Sequence, residues 1–141
     1  MKLSEKQIET IILTYLAMSR GYLCYKNNNV GIYDEKAKAF RKVANKYCPP
    51  GVSDIYGSYY ARAVYIEVKT PIEYQYLVKH YEELRSYFGV SKKKNHLKNQ
   101  IRFIETNASL GCIAFFTCSL EMTKEKLSEF NSGESKVDAH R

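Results

Sequence analysis

The sequence predicts one mixed α/β domain, and three observations carry that expectation. Apolar residues recur at helical spacing near the N-terminus, β-branched runs lie between turn signals in the middle, and the late run CIAFFTC shows no polar alternation, as in a sheet covered on both faces. With 141 residues, 45% of them hydrophobic, the chain suffices for a single domain burying about two-thirds of its unfolded surface.

Each element follows from its own signal. Ser4 is a fitting N-cap and Ile8, Ile11, Ile12, Tyr15 and Leu16 recur at helical spacing, so a helix is expected over 4–19, closed by Gly21. YLCYKN, 22–27, reads as a strand that enters the turn-prone NNNVG. Propensity favours a helix over DEKAKAFRKVANKY, 34–47, although its charges leave no clean amphipathic face. After a Pro-Pro-Gly turn come a short strand at 53–57 and a stronger one at 63–69, ended by Pro71, which has no backbone donor. Helices are expected at 73–88 and 96–109, separated by Gly89 and the basic SKKK. CIAFFTC is the next strand, a last helix covers 120–130, and residues 131–141 read as a flexible tail.

Charge narrows the partners. A net charge of +7 and a pI near 9.2 favour polyanions, nucleic acid or an anionic membrane surface, without choosing between them. No apolar run approaches the roughly 18 residues of a membrane span and no secretory h-region opens the chain, so a soluble, cytoplasmic protein is expected. Cys24, Cys48, Cys112 and Cys118 match no CxxC spacing and read as reduced, partly buried thiols. His80, His96 and His140 have no partner at metal-ligand spacing.

The informative stretch is PPGVSDIYGSYYARAVYIEVKTP, 49–71, because its stronger strand carries two charges. Side chains alternate along a strand, so Glu67 and Lys69 share a face, with Cα atoms about 6.6 Å apart. A solvated pair on a half-exposed strand would explain ExK alone. Asp54 shifts the balance, since it follows a sharp turn on a neighbouring short strand able to return beside the first as a hairpin. Two converging carboxylates repel unless a cation neutralises them, and hard oxygen donors suit Mg²⁺ or Mn²⁺. A lysine beside such a cation is well placed next to a phosphate.

These residues resemble the active-site signature of the PD-(D/E)XK nuclease superfamily, and within it the small phage-type VRR-NUC domains. The likeness extends beyond GVSDIYG…VYIEVKTP: SEKQIETIILTYL resembles the opening helix, CYKNNNVGIY the strand and Asn-rich turn, and NQIRFIETNASLGCIAFFTCSLEMTKEKL the closing helix, strand and helix. It implies a restriction-endonuclease-like core in the order αβββαβ, a mixed sheet flanked by helices, with a helix inserted after the ExK strand. Segment 34–47 is matched only loosely.

The resemblance also implies roles. Asp54 is the expected central metal ligand, Glu67 the second carboxylate and the backbone carbonyl of Val68 a further oxygen, holding Mg²⁺, with Mn²⁺ as a substitute. Lys69 would orient the attacking water or stabilise the phosphoryl transition state, and Gln100 would orient Lys69 or a phosphate. By itself Gln100 reads more readily as an ordinary exposed polar helix residue. For the first-helix acid the candidates are Glu5 and Glu9, and Glu5 lies nearer the Ile8 and Ile12 stripe. DNA contacts are expected from Lys26, Asn27, Asn28 and Asn29 and from Lys92, Lys93, Lys94, Lys98 and Arg102, although a solvated face explains a lysine run as well. Some of the thirteen tyrosines are candidate base-stacking platforms, though most read as strand or core residues. Analogy with dimeric relatives adds a homodimer. The expected activity is metal-dependent endonucleolytic cleavage of DNA. The alternatives are a DNA-binding module that keeps the fold without turnover, and a partner of acidic proteins or membrane surfaces.

Overall fold

The computed structural model describes residues 2–27, 32–41 and 50–138, with the backbone alone at 32–34, 39–41 and 131–138. In chain order the elements are α1 (Glu5–Ala17), β1 (Tyr22–Lys26), β2 (Ile32–Asp34), β3 (Ala39–Arg41), β4 (Ile55–Tyr59), β5 (Arg62–Val68), α2 (Pro71–Lys79), α3 (Tyr81–Arg85), α4 (Lys92–Ser109), β6 (Ile113–Thr117) and α5 (Leu120–Asp138). Strands β1, β4, β5 and β6 form one mixed sheet in that order, antiparallel except for the parallel β5–β6 pair.

Alternation along β5 divides the core. Val64, Ile66 and Val68 point to one face, where they pack with Ile8, Ile12 and Leu16 of α1 and Leu127 of α5. Tyr65 points to the other, where Leu77, Leu84, Leu97, Ile101 and Ile104 of α2, α3 and α4 meet Ala114 and Phe116 of β6. Helices thus cover both faces, and every residue of β6 is buried, which accounts for its unbroken apolar run. Helix α1 begins as expected: the Gln7 N–H donates to the Ser4 hydroxyl while the Ser4 N–H donates to the Gln7 side chain.

Four expectations change. Residues 34–41 are not helical: β2 and β3 pair as a separate two-stranded hairpin, Ile32 opposite Arg41, and Lys38 takes the positive φ of 50° that its turn requires. Residues 42–47 lie outside the described residues. The single helix expected at 73–88 is two, because the backbone leaves helical geometry at His80 (φ −109°, ψ 18°), which ends α2 and starts α3. Helix α4 begins four residues earlier than expected, at Lys92, since the Ser91 hydroxyl accepts the Lys94 N–H as an N-cap. Helix α5 continues to Asp138 through residues expected as a tail.

Helix α4 runs antiparallel to β5. Gln100 meets Lys69 just past the end of that strand, the Phe103 ring meets Tyr65 edge-on, and Arg62 at the strand's start donates to the carbonyl of Gly111, just beyond the helix. The first two turns of α4 therefore project past the end of the sheet at which β1 and β5 finish and β4 begins. Cys24, Cys112 and Cys118 are free and half-buried, burial holding the Cys24 thiol up at about 11, while Cys48 lies outside the described residues. Among the described residues no helix is long and apolar enough to cross a membrane.

Candidate active site

Asp54, Glu67 and Lys69 meet at that end of the sheet. The β4–β5 hairpin sets Ile55 opposite Ile66, so the residue before β4 lies beside Glu67. Asp54 Oδ2 accepts the Val68 N–H at 2.9 Å, and the Asp54 N–H donates to Glu67 Oε2 at 3.2 Å. These two bonds lock the bend at 54 against β5, one through the Val68 backbone and one through the Glu67 side chain.

Glu67 and Lys69 are 2% and 5% exposed, so the solvated-pair explanation of ExK fails. The reason is α4, whose Gln100 is itself only 4% exposed and bridges them. Lys69 Nζ donates to Gln100 Oε1 at 2.7 Å, and Gln100 Nε2 donates to Glu67 Oε1 at 2.6 Å. An ammonium only donates, so the lysine fixes which end of the amide faces it and leaves the NH₂ for the carboxyl. Lys69 Nζ stands 3.9 Å from Glu67 Oε1 directly. Close approach of the loop before Asp54 depends on Gly51, whose φ is +80° and where a Cβ would lie 2.5 Å from the backbone of Asn99.

The acids crowd one another. Burial first, then the charge of Asp54, push the Glu67 carboxyl up to about 9, with Lys69 opposing. Glu5, in the first turn of α1, is pushed up to about 7, by burial first and then by Asp54 and Glu73, again against Lys69. Glu5 is thus within electrostatic reach of Asp54 and Lys69, whereas Glu9 is buried and ion-paired with Lys26 at 3.2 Å. Glu73, absent from the sequence reading, sits in the capping box of α2: the Glu73 N–H donates to the Thr70 hydroxyl and the Thr70 N–H donates back. The T-x-x-E spacing in TPIE was its available signal.

The expected DNA-contacting residues separate into groups. Lys26 and Asn27 border the centre, but Asn27 is spent on it, its N–H donating to the Asp54 carbonyl at 2.7 Å and its side chain to the Ser53 carbonyl at 3.4 Å. Asn28 and Asn29 lie outside the described residues. Lys92, Lys93 and Lys94 form the first turn of α4, beyond Gln100. Lys98 and Arg102 are not brought to the centre: each lies about 200° around the helix from Gln100, lining with Arg85 and Glu105 a groove of about 390 Å³.

Among the described residues no three His, Cys, Asp or Glu side chains form a group that could hold a metal ion as they stand. The donor set at the centre is two carboxyls, Asp54 and Glu67, with Glu5 nearby, all hard oxygens, and the crowding that pushes Glu67 and Glu5 up is the kind a cation relieves. That set fits Mg²⁺, which is held by one or two carboxylates and keeps several waters, better than an ion needing a full protein cage. Compared with known proteins, the chain matches no family model, no curated protein and no solved structure.

Proposed function

We propose that the protein is a metal-dependent nuclease that hydrolyses phosphodiester bonds of DNA, with a PD-(D/E)XK-type centre of Asp54, Glu67 and Lys69. The observation that carries this reading is the buried Lys69–Gln100–Glu67 bridge standing over Asp54. Burying a lysine and a carboxyl side by side, with the Asp54 carboxylate half-buried next to them, costs several kcal/mol of desolvation. A merely structural role would be served more cheaply by apolar side chains. The order α1, β1, β4, β5, α4, β6 around the main sheet supports an αβββαβ core, with α2 and α3 as its insertion.

Asp54 and Glu67 would hold the ion, with the Val68 carbonyl as a further oxygen. When bound, a divalent ion supplies positive charge against the phosphate and makes a nearby water more acidic. The protein's own groups do the rest. Gln100 takes one of the three donors of Lys69 and fixes its amine, leaving the others for a phosphate oxygen or the attacking water. Glu67 would release its proton to solvent on holding the ion, whose positive charge favours the carboxylate. Glu5 borders the same space and adds a carboxylate toward either the ion or the water.

The test is a panel of labelled duplex, nicked, branched and single-stranded DNAs incubated with Mg²⁺ or Mn²⁺. Wild-type protein is expected to cut at least one of them, and Asp54→Ala, Glu67→Ala and Lys69→Ala are each expected to lose roughly 100-fold or more in rate. Asp54→Asn keeps the shape and can still accept the Val68 N–H, and serves as the folded control; Glu67→Gln removes the acid but can accept from only one of the two donors that Glu67 meets. Cleavage that persists in all of these variants would remove the site from consideration. DNA binding without cleavage under any condition would favour the binding module.

A further inference from the structure

The loop between α3 and α4 displays two large apolar side chains to solvent. Phe88 and Val90 are each 98% exposed, more than any other large hydrophobic residue described. This is not a slack connection. Lys98 Nζ donates to the Tyr87 carbonyl at 2.7 Å, Asn95 Nδ2 donates to the Gly89 carbonyl at 3.0 Å, and the Ser91 N–H donates to the Tyr87 hydroxyl at 3.1 Å. Gly89 packs so closely on the Tyr87 ring that a Cβ there would collide with it. The loop backbone is thus tied twice to α4 and once to its own Tyr87 ring while both apolar side chains are exposed, and no element of the described chain covers them.

Its surroundings indicate what does. Lys92, Lys93 and Lys94 follow at once, in the first turn of α4, where the helix dipole disfavours cations and no acidic residue of the same turn offsets them. Lys92 and Lys93 are exposed; Lys93 rests over the Tyr76 ring and Lys94 is shared between Glu83 and the Tyr87 ring. An apolar tip flanked by cations matches the two chemistries of a nucleic-acid strand, flat base faces beside phosphates. It also stands at the right end of the molecule. Helix α4 carries the tip past the end of the sheet where Asp54, Glu67 and Lys69 lie, and Lys92 to Gln100 spans about 12 Å of helix, the length of about three to four nucleotide steps.

We propose that the Phe88–Val90 turn is a base-contacting element, its side chains stacking on unpaired bases or entering an opened base step while Lys92 and Lys93 take the adjoining phosphates. This rests on the reading of the protein as acting on DNA and adds to it the part that senses unstacked bases at a fixed distance from the cut.

Because the chain contains no tryptophan, Phe88→Trp places a single indole at the tip. With Ca²⁺ in place of Mg²⁺ to spare the strands, a saturating single-stranded oligonucleotide is expected to quench that emission strongly, and a blunt duplex of equal length much less. Anisotropy with the same DNAs is expected to show Phe88→Ser/Val90→Ser losing about ten-fold in preference for the single strand, and Phe88→Trp keeping it. DNA binding by anisotropy with unchanged tip emission, and an unaltered preference in the double variant, overturns the tip and leaves the nuclease reading standing. No binding to any DNA overturns both. A blue shift on vesicles of 30% phosphatidylserine, with no response to DNA, assigns the tip to a lipid surface instead.

Discussion

Gln100 is the residue on which the centre turns, because it satisfies two buried polar groups at once. Gln100→Leu keeps most of the volume and removes both bonds, leaving the Lys69 ammonium and the Glu67 carboxyl short of a partner. Each buried polar group so stranded costs about 1–3 kcal/mol, so urea denaturation is expected to show a loss in that range or above; a midpoint equal to wild type would mean the bridge is not formed. The carboxyls make a second prediction at this scale. Glu67 and Glu5 bind their protons more tightly in the folded protein, with values pushed up to about 9 and about 7 from an ordinary 4.5. Between those limits the folded state holds more protons than the unfolded one, so stability falls as pH rises. Melting in EDTA is therefore expected to decline from about pH 5 to about pH 9, with the decline reduced in Glu67→Gln and by added Mg²⁺. A Glu67→Gln profile parallel to wild type would remove Glu67 as the source.

At the scale of elements, the site exists because a hairpin, a loop and a helix converge, and Gly51 is where the loop touches the helix. Gly51→Ala must place a Cβ 2.5 Å from the Asn99 carbonyl carbon at a φ of +80°. The strained backbone alone costs on the order of 1–3 kcal/mol, and relief by moving the loop shifts Asp54 away from Gln100. Both the denaturation midpoint and the cleavage rate are expected to drop; a full rate at reduced stability would show that the loop's position does not set the chemistry. Local rules made much of this legible. Period-two alternation placed Glu67 and Lys69 on one face, Ser4 marked the start of α1, and Pro71 ended β5 and became the first residue of α2. The burial of Gln100 was not read, although a signal was present: it lies among Leu97, Ile101 and Ile104 on the apolar stripe of α4, where a polar residue must find a partner. Two features had no such signal. No Gly or Pro marks the break at His80, and in 34–41 the helical propensity of Glu, Lys and Ala yields to a hairpin whose turn requires a positive φ at Lys38.

For the whole molecule, a net charge of +7 overstates what is available to a polyanion, because several cations are already engaged by the fold. Lys26 pairs with Glu9, Lys69 is buried with Gln100, and the Lys98 ammonium, expected from sequence to meet DNA, holds the Tyr87 carbonyl and with it the turn before α4. The basic residues should therefore divide into two classes that salt can tell apart. Each phosphate contact releases counterions and contributes about 0.9 to the slope of log K against log salt on duplex DNA. Lys92→Ala/Lys93→Ala is then expected to lower that slope by about two while leaving the melting temperature near wild type. Lys98→Met is expected to do the reverse, lowering the melting temperature by loosening the α3–α4 turn while leaving the slope nearly unchanged. Duplex titrations from about 50 to about 200 mM salt, run beside thermal melts of the same preparations, separate the two. Equal slope changes in both variants would mean that the basic surface acts as a diffuse cloud of charge, and the division of labour along α4 would not hold.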